Sequence, residues 1–299
     1  AAVMNPALIA SLVGIAAPVI VVTGSGYVWR WRGMPFDHEF VTRIVTRLGS
    51  PALVFVTLSK THFALSDLWR MGGATVACLL LFALVAGAGL RVAGLSQRIY
   101  LPSLVFPNIG NMGLPICLYA FGERGLALAM IYFTVTTIGQ FSFGPAIARG
   151  VITLAGLFRA PFLYAAVVAV VCSQIGFAAP RWLNDSLTLL GNITIPLMLL
   201  GLGAALAEFR ATNKARQTIL SLARIGLGVA GGAFVAWLFG LGGIERGVLI
   251  VQSAMPVAVF NYLFARIYGA DPDEVAGLVL ISTLASYVTL PFVVAFAMG

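Results

Sequence analysis

Apolar runs long enough to cross a bilayer recur along the whole chain, separated by short polar or Gly/Pro-bearing breaks. They predict spans near 5–27, 40–59, 70–90, 100–121 and 126–147, and a second set near 160–177, 185–206, 217–240, 246–267 and 275–297. A spanning helix needs about 20 apolar residues to cross a hydrocarbon core of about 30 Å, so ten spans and their connections account for nearly all of the chain. No separate soluble domain is expected. The stretch from Pro6 to Tyr27 follows no basic segment and small-residue cleavage site, and is expected to be the first span rather than a removed signal.

Composition narrows the class. With 60% hydrophobic and 9% charged residues and a mean hydropathy of +1.00, the chain lacks the polar residues to coat a water-soluble globule, and its solvent is mostly lipid. A formal charge of +8 would suggest nucleic acid in a soluble protein; here the basic residues sit beside apolar spans and read as topology signals. Arg30, Arg32, Arg91, Arg98, Arg149, Arg159, Arg210, Lys214 and Arg216 fall in alternate loops, with Arg43, Arg47, Arg224 and Arg266 assigned to helix ends on that side. The other side holds Lys60, Arg70, Arg124, Arg181 and Arg246. The basic side is expected to be cytoplasmic, so an even number of spans puts both termini outside, in a multi-pass plasma (bacterial inner) membrane protein. Each half has an odd number of spans, so residues 1–150 and 151–299 are expected to insert in opposite orientations as two inverted five-helix repeats.

Internal similarity agrees with that division. The second span of each half is expected to break at a proline, in "LGSPALVF" around Pro51 and "NITIPLMLL" around Pro196. The fourth spans carry "PNIGNMGLP", Pro107 to Pro115, and "QSAMPVAVFN", Gln252 to Asn261. Unwound backbone is tolerated at membrane depth only where protein or a cavity surrounds it, so matched interruptions point to a transporter's substrate site. In the first, Pro107, Gly110, Gly113 and Pro115 make a straight helix untenable. The restarting half-helix offers a partial positive charge to an anion, and Asn108 and Asn111 add uncharged donors and acceptors. In the second, Pro256 breaks the helix and Asn261 repeats the chemistry. The alternative is that these residues kink packed helices while the asparagines tie neighbours together. Gln140 either faces the same cavity or bonds a neighbouring helix.

Other residues are read more plainly. The acidic residues, Glu208 and Glu274 among them, map to loops or span ends, which weakens a cation antiporter built on buried aspartates. Lys60 and His62 are candidates for a charge partner or proton-linked switch, against a snorkelling lysine and a loop histidine. Arg43 and Arg47 could draw anions to a vestibule, or simply anchor the cytoplasmic side. Cys78, Cys117 and Cys172 lie in apolar spans without metal-ligand spacing and are expected to pack inertly. The segment "GLGVAGGAF" lacks the strand and the Lys-Ser/Thr ending of a phosphate loop. No nucleophile–base pair, metal cluster or cofactor motif is present, so neither an enzyme nor a bound cofactor or metal is expected. Nucleic acid is not an expected partner, and a homodimer is left open.

Two blocks carry a family resemblance: "LPSLVFPNIGNMGLPICLYAFG", Leu101 to Gly122, and "IVQSAMPVAVFNYLFARIYGADPDEVAGLVLISTLASYVTLPFV", Ile250 to Val293. They resemble the auxin efflux carrier family in its bacterial form. The resemblance implies an all-α integral membrane protein of ten transmembrane helices, with broken, crossing helices in spans 4 and 9, and a transport part moving elevator-fashion against a scaffold. It implies a small carboxylate substrate, such as malonate, malate, lactate or an auxin-like acid, with proton or sodium as a possible coupling ion. Pro107, Asn108 and Pro115 match the first crossing and Pro256 and Asn261 the second; plant members carry proline where this chain has Asn261. Two alternatives remain: a sodium- or proton-coupled symporter of bile-acid-symporter-like fold for a larger amphipathic substrate, and a membrane sensor or channel without coupled transport.

Overall fold

A computed structural model describes residues 6–60, 65–149, 161–175, 177 and 179–299. Among them the chain is helical, and no strand forms. The elements are α1 (Pro6–Trp31), α2 (His38–Ile44), α3 (Ser50–Lys60), α4 (Leu65–Val92), α5 (Gln97–Val105), α6 (Leu114–Arg149) and α7 (Pro161–Gln174). They continue with α8 (Arg181–Asn192), α9 (Thr194–Glu208), α10 (Lys214–Leu238), α11 (Gly243–Ser253), α12 (Val259–Tyr268) and α13 (Pro272–Met298). Among the described residues, six segments are long and apolar enough to cross a membrane: His38–Ser59, Ser66–Val92, Ile109–Gln140, Arg181–Glu208, Lys214–Leu238 and Pro272–Met298.

Helix α4 shows how lipid and protein divide one element. Val76, Leu80 and Leu84 form an exposed stripe at i, i+4 and i+8, while Met71, Thr75, Cys78 and Phe82 on the other face are buried. Apolar side chains face outward without penalty because the surrounding medium is itself apolar.

Ahead of Pro51 and Pro115 the helix bends rather than breaks. Before Pro51 the helix widens into a π turn over Val45–Gly49, closed by the Ser50 N–H on the Val45 carbonyl. Ile109–Gly113 makes the same turn before Pro115, closed by the Leu114 N–H on the Ile109 carbonyl. Proline has no N–H and clashes with the carbonyl four residues back, and one wide turn relieves both. The α8–α9 boundary falls at Ile193, just before Pro196. The later part of the predicted fourth span and the fifth span, together α6, are two helices joined at a kink at Gly122, whose φ of 66° and ψ of −161° suit a residue without Cβ.

Helices sort into two packing groups. One joins α1, α2, α3, α7, α8 and α9; the other joins α4, α5, α6, α10, α11, α12 and α13, and contacts between the groups are sparser. In the first group α1 lies against α9 with the two backbones touching: a Cβ on Gly203 would collide with the Thr23 carbonyl, and one on Gly26 with the Leu200 carbonyl. In the second, α10, α11 and α13 pack around one another and α11 lies against α6.

Candidate functional site

The second group is built around two interrupted helices that meet at their breaks. After α5 the chain leaves helix at Phe106 and restarts at Ile109; after α11 it leaves at Ala254 and restarts at Val259. Pro107 and Val257 pair as an antiparallel bridge. The Asn108 N–H donates to the Pro256 carbonyl at 2.7 Å, and the Ala258 N–H donates to the Phe106 carbonyl at 3.4 Å. The Val257 N–H donates to Ser282 Oγ at 3.0 Å. Each break supplies partners that the other has lost, as buried backbone requires.

The helix ends at this meeting point are treated unequally. The C-terminal ends carry partial negative charge, and both are covered by donors. Asn261 Nδ2 donates to the Pro102 carbonyl at 3.2 Å and the Phe106 carbonyl at 3.1 Å, covering the end of α5. Arg224 Nη2 donates to the Ser253 carbonyl at 2.6 Å, covering the end of α11. The restarting ends at Ile109 and Val259 instead border a cavity of about 280 Å³. The first-turn N–H groups of Gly110 and Asn111 precede any helical acceptor, and Asn108 Nδ2, in a residue only 4% exposed, has no hydrogen-bond partner. A cavity edged by two helix N-termini and an unpartnered amide donor suits a ligand that accepts hydrogen bonds and carries negative charge.

The cavity lies between the packing groups. Phe36, His38, Thr42, Thr46, Met198 and Glu208 line it from the first, and Asn108, Asn111, Phe133, Gln140, Tyr262 and Arg266 from the second. Apolar and aromatic side chains make most of its wall.

Of the residues singled out in the sequence, Pro107, Asn108, Gly110, Asn111 and Gln140 line this cavity. Gly110 is closed in by Met198 and Phe133. Asn261 is 3% exposed and outside the lining: its Oδ1 accepts from Gln140 Nε2 at 3.0 Å, so these side-chain bonds hold the meeting point together. Pro115 and Pro256 shape the backbone without lining the cavity. Gly113 faces away from it, with the Gln252 carboxamide packed where a Cβ would stand. Lys60 ends α3, but its side chain and the whole of His62 lie outside the described residues.

One placement corrects the sequence reading. Arg224, assigned to a helix end with the topology-setting basic residues, is fully buried in the middle of α10. Its guanidinium lies 5.0 Å from the centroid of the Phe82 ring, a cation–π contact that offsets part of its desolvation. Beside it Tyr132 Oη and Ser253 Oγ lie 3.1 Å apart, and Ser253 Oγ lies 3.6 Å from Cys78 Sγ.

The sequence reading also missed the ionic groups on the cavity wall. Glu208 Oε1 pairs with Arg30 Nε at 2.5 Å, and its Oε2 lies 3.5 Å from His38 Nε2. Arg30 answers the acid's charge, so Glu208 does not make the cavity acidic. Only the packing of α1 and α2 on the end of α9 assembles this cluster; nothing in local sequence announces it.

Comparison with known proteins supports the family resemblance. A family model described as membrane transport protein matches residues 146–294. Over those residues the chain resembles this membrane transport protein family. It is the family to which the resemblance to auxin efflux carriers pointed. An uncharacterized transporter of Methanocaldococcus jannaschii is 24% identical over 271 residues, covering 84% of this chain and 87% of that protein. Another, of Methanothermobacter thermautotrophicus, is 25% identical over 289 residues, covering 91% and 94%. These matches and the apolar spans support a multi-pass membrane transporter and argue against an enzyme.

Proposed function

We propose that this transporter carries a small organic anion, a carboxylate, bound where the two interrupted helices cross, by elevator-type alternating access. In this reading the ten predicted spans form two inverted five-helix repeats, and the spans broken at Phe106 and Ala254 are the fourth and the ninth. The observation that carries it is the unequal treatment of the helix ends: both carbonyl ends are covered, while both N-terminal ends border the cavity beside the unpartnered amide of Asn108. Asn108, Asn111 and Gln140 would contact the carboxylate; Asn261 and the prolines Pro107, Pro115 and Pro256 would hold the crossing open. The group containing α4–α6 and α10–α13 would move against the other, a division supported by the sparse packing between them and the cavity at their boundary. The aromatic wall favours an acid with an apolar body over a compact dicarboxylate such as malonate.

The test is uptake into proteoliposomes of a panel of mono- and dicarboxylates, including lactate, malonate, malate and indole-3-acetate, under imposed proton or sodium gradients. Saturable uptake of at least one acid is expected, and its response to each gradient identifies any coupling ion. No binding and no uptake across the panel would overturn the reading in favour of a sensor or channel.

A further inference from the structure

Arg224 stands out among the described residues because its charge is fully buried and meets no carboxylate. It lies about 15 Å along α10 from Lys214 at 1.5 Å per residue, a depth at which an ionised side chain is expensive and usually functional. One nitrogen covers the Ser253 carbonyl, whereas Nε and Nη1 have no hydrogen-bond partner. Covering a helix end does not require a charge. Asn261 does the same for α5 with a neutral carboxamide and uses both ends of it. The guanidinium therefore brings something that capping alone does not need: an uncompensated positive charge behind the second break. Ser253 lies three positions before Pro256, whose carbonyl accepts from the Asn108 N–H, so the charge sits on the order of 10 Å from the cavity edge.

We propose that Arg224 is the charge-selectivity determinant of the crossing: it cancels the negative end of α11 and biases the cavity toward anions without touching the substrate. This rests on the anion reading above. At an effective dielectric of about 20, a unit charge on the order of 10 Å away changes anion affinity roughly tenfold. Arg224 is thus a positioning and selectivity residue, and the expected signature is loss of charge discrimination rather than loss of binding.

The experiment titrates purified protein with indole-3-acetate and lactate and, in parallel, with their uncharged amides, indole-3-acetamide and lactamide. In Arg224→Met, acid affinity falls about tenfold while amide affinity stays within twofold. Arg224→Lys keeps the charge and retains acid affinity within threefold. Cys78→Asp leaves the guanidinium and its bond to Ser253 in place but sets a carboxylate beside the charge, since Cys78 Sγ is 3.6 Å from Ser253 Oγ; acid affinity again falls about tenfold. Equal losses for acid and amide, or acid affinity unchanged in both Arg224→Met and Cys78→Asp, would overturn the proposal. If Arg224→Met does not fold, Cys78→Asp and Arg224→Lys decide it, and a folded Lys variant without acid affinity would also overturn it. Failure of the unmodified protein to bind either acid or amide would count against the substrate reading instead.

Discussion

The two helix breaks use one backbone solution and two different chemistries. Each interrupts a buried helix next to a proline, and each returns the other's lost hydrogen bonds through the bridge between Pro107 and Val257. They part in how the chain resumes and in what covers the end left behind. The first resumes through a wide turn ahead of Pro115, places Asn108 and Asn111 at the cavity, and has its α5 end covered by a neutral side chain from the second break. The second resumes directly into α12, presents no carboxamide to the cavity, and has its α11 end covered by a cation. Related sequence patterns in the two halves therefore give one break that brings two carboxamides to the cavity and one that meets it without a carboxamide and has its helix end covered by a cation.

That contrast can be broken most forcefully at Asn108. Replacing it with Asp exchanges the unpartnered donor for a carboxylate facing the substrate's own. Repulsion between like charges about 4 Å apart is worth about 4 kcal/mol at an effective dielectric of 20, so acid binding is expected to fall at least a hundredfold by isothermal titration.

Asn261→Ala probes the supporting side. It removes one bond each from the Pro102 and Phe106 carbonyls, which keep the Phe106 and Ala258 N–H groups, and it takes the Asn261 acceptor from Gln140 Nε2; leaving a buried group unsatisfied costs about 1–3 kcal/mol. A lowered melting temperature in detergent is expected, with weaker acid binding as the crossing loosens; an unchanged melting temperature would show that these bonds do not hold the break. Ser282→Ala is milder, orphaning only the Val257 N–H: a loss of about 1–2 kcal/mol in stability with acid affinity within threefold, read from denaturation and titration of the same preparation. The smallest effect belongs to Arg43→Gln. Arg43 is exposed and paired with Glu39 one helical turn away, an arrangement worth about 0.3–0.5 kcal/mol, and uptake should match the unmodified protein.

Much of this architecture was legible because proline, glycine and asparagine are conspicuous inside apolar runs. Pro107, Pro115 and Pro256 marked the breaks, and Asn108 and Asn111 marked the cavity edge. What they could not reveal is which polar group faces ligand and which faces backbone. Asn108 and Asn261 look alike in sequence, yet one has an unpartnered amide and the other is bonded at both ends of its side chain, a difference set by which helix each meets. His38 and Glu208 stayed hidden for the same reason: they are far apart in the chain and meet only because α2 packs on α9. Arg224 is a different case. It lies ten positions along the helix from Lys214, which at 1.5 Å per residue already puts it deep in the span, beyond the reach of a topology-setting residue at a helix end.

The most direct test of the central claim is a structure of the transporter with a carboxylate bound, using a bromine-labelled acid whose heavy atom fixes its orientation. The account predicts the carboxylate within hydrogen-bonding distance of Asn108 Nδ2 and the N–H groups at Gly110 and Asn111. A carboxylate held instead at Arg266 or Arg30, with Asn108 untouched, would contradict it.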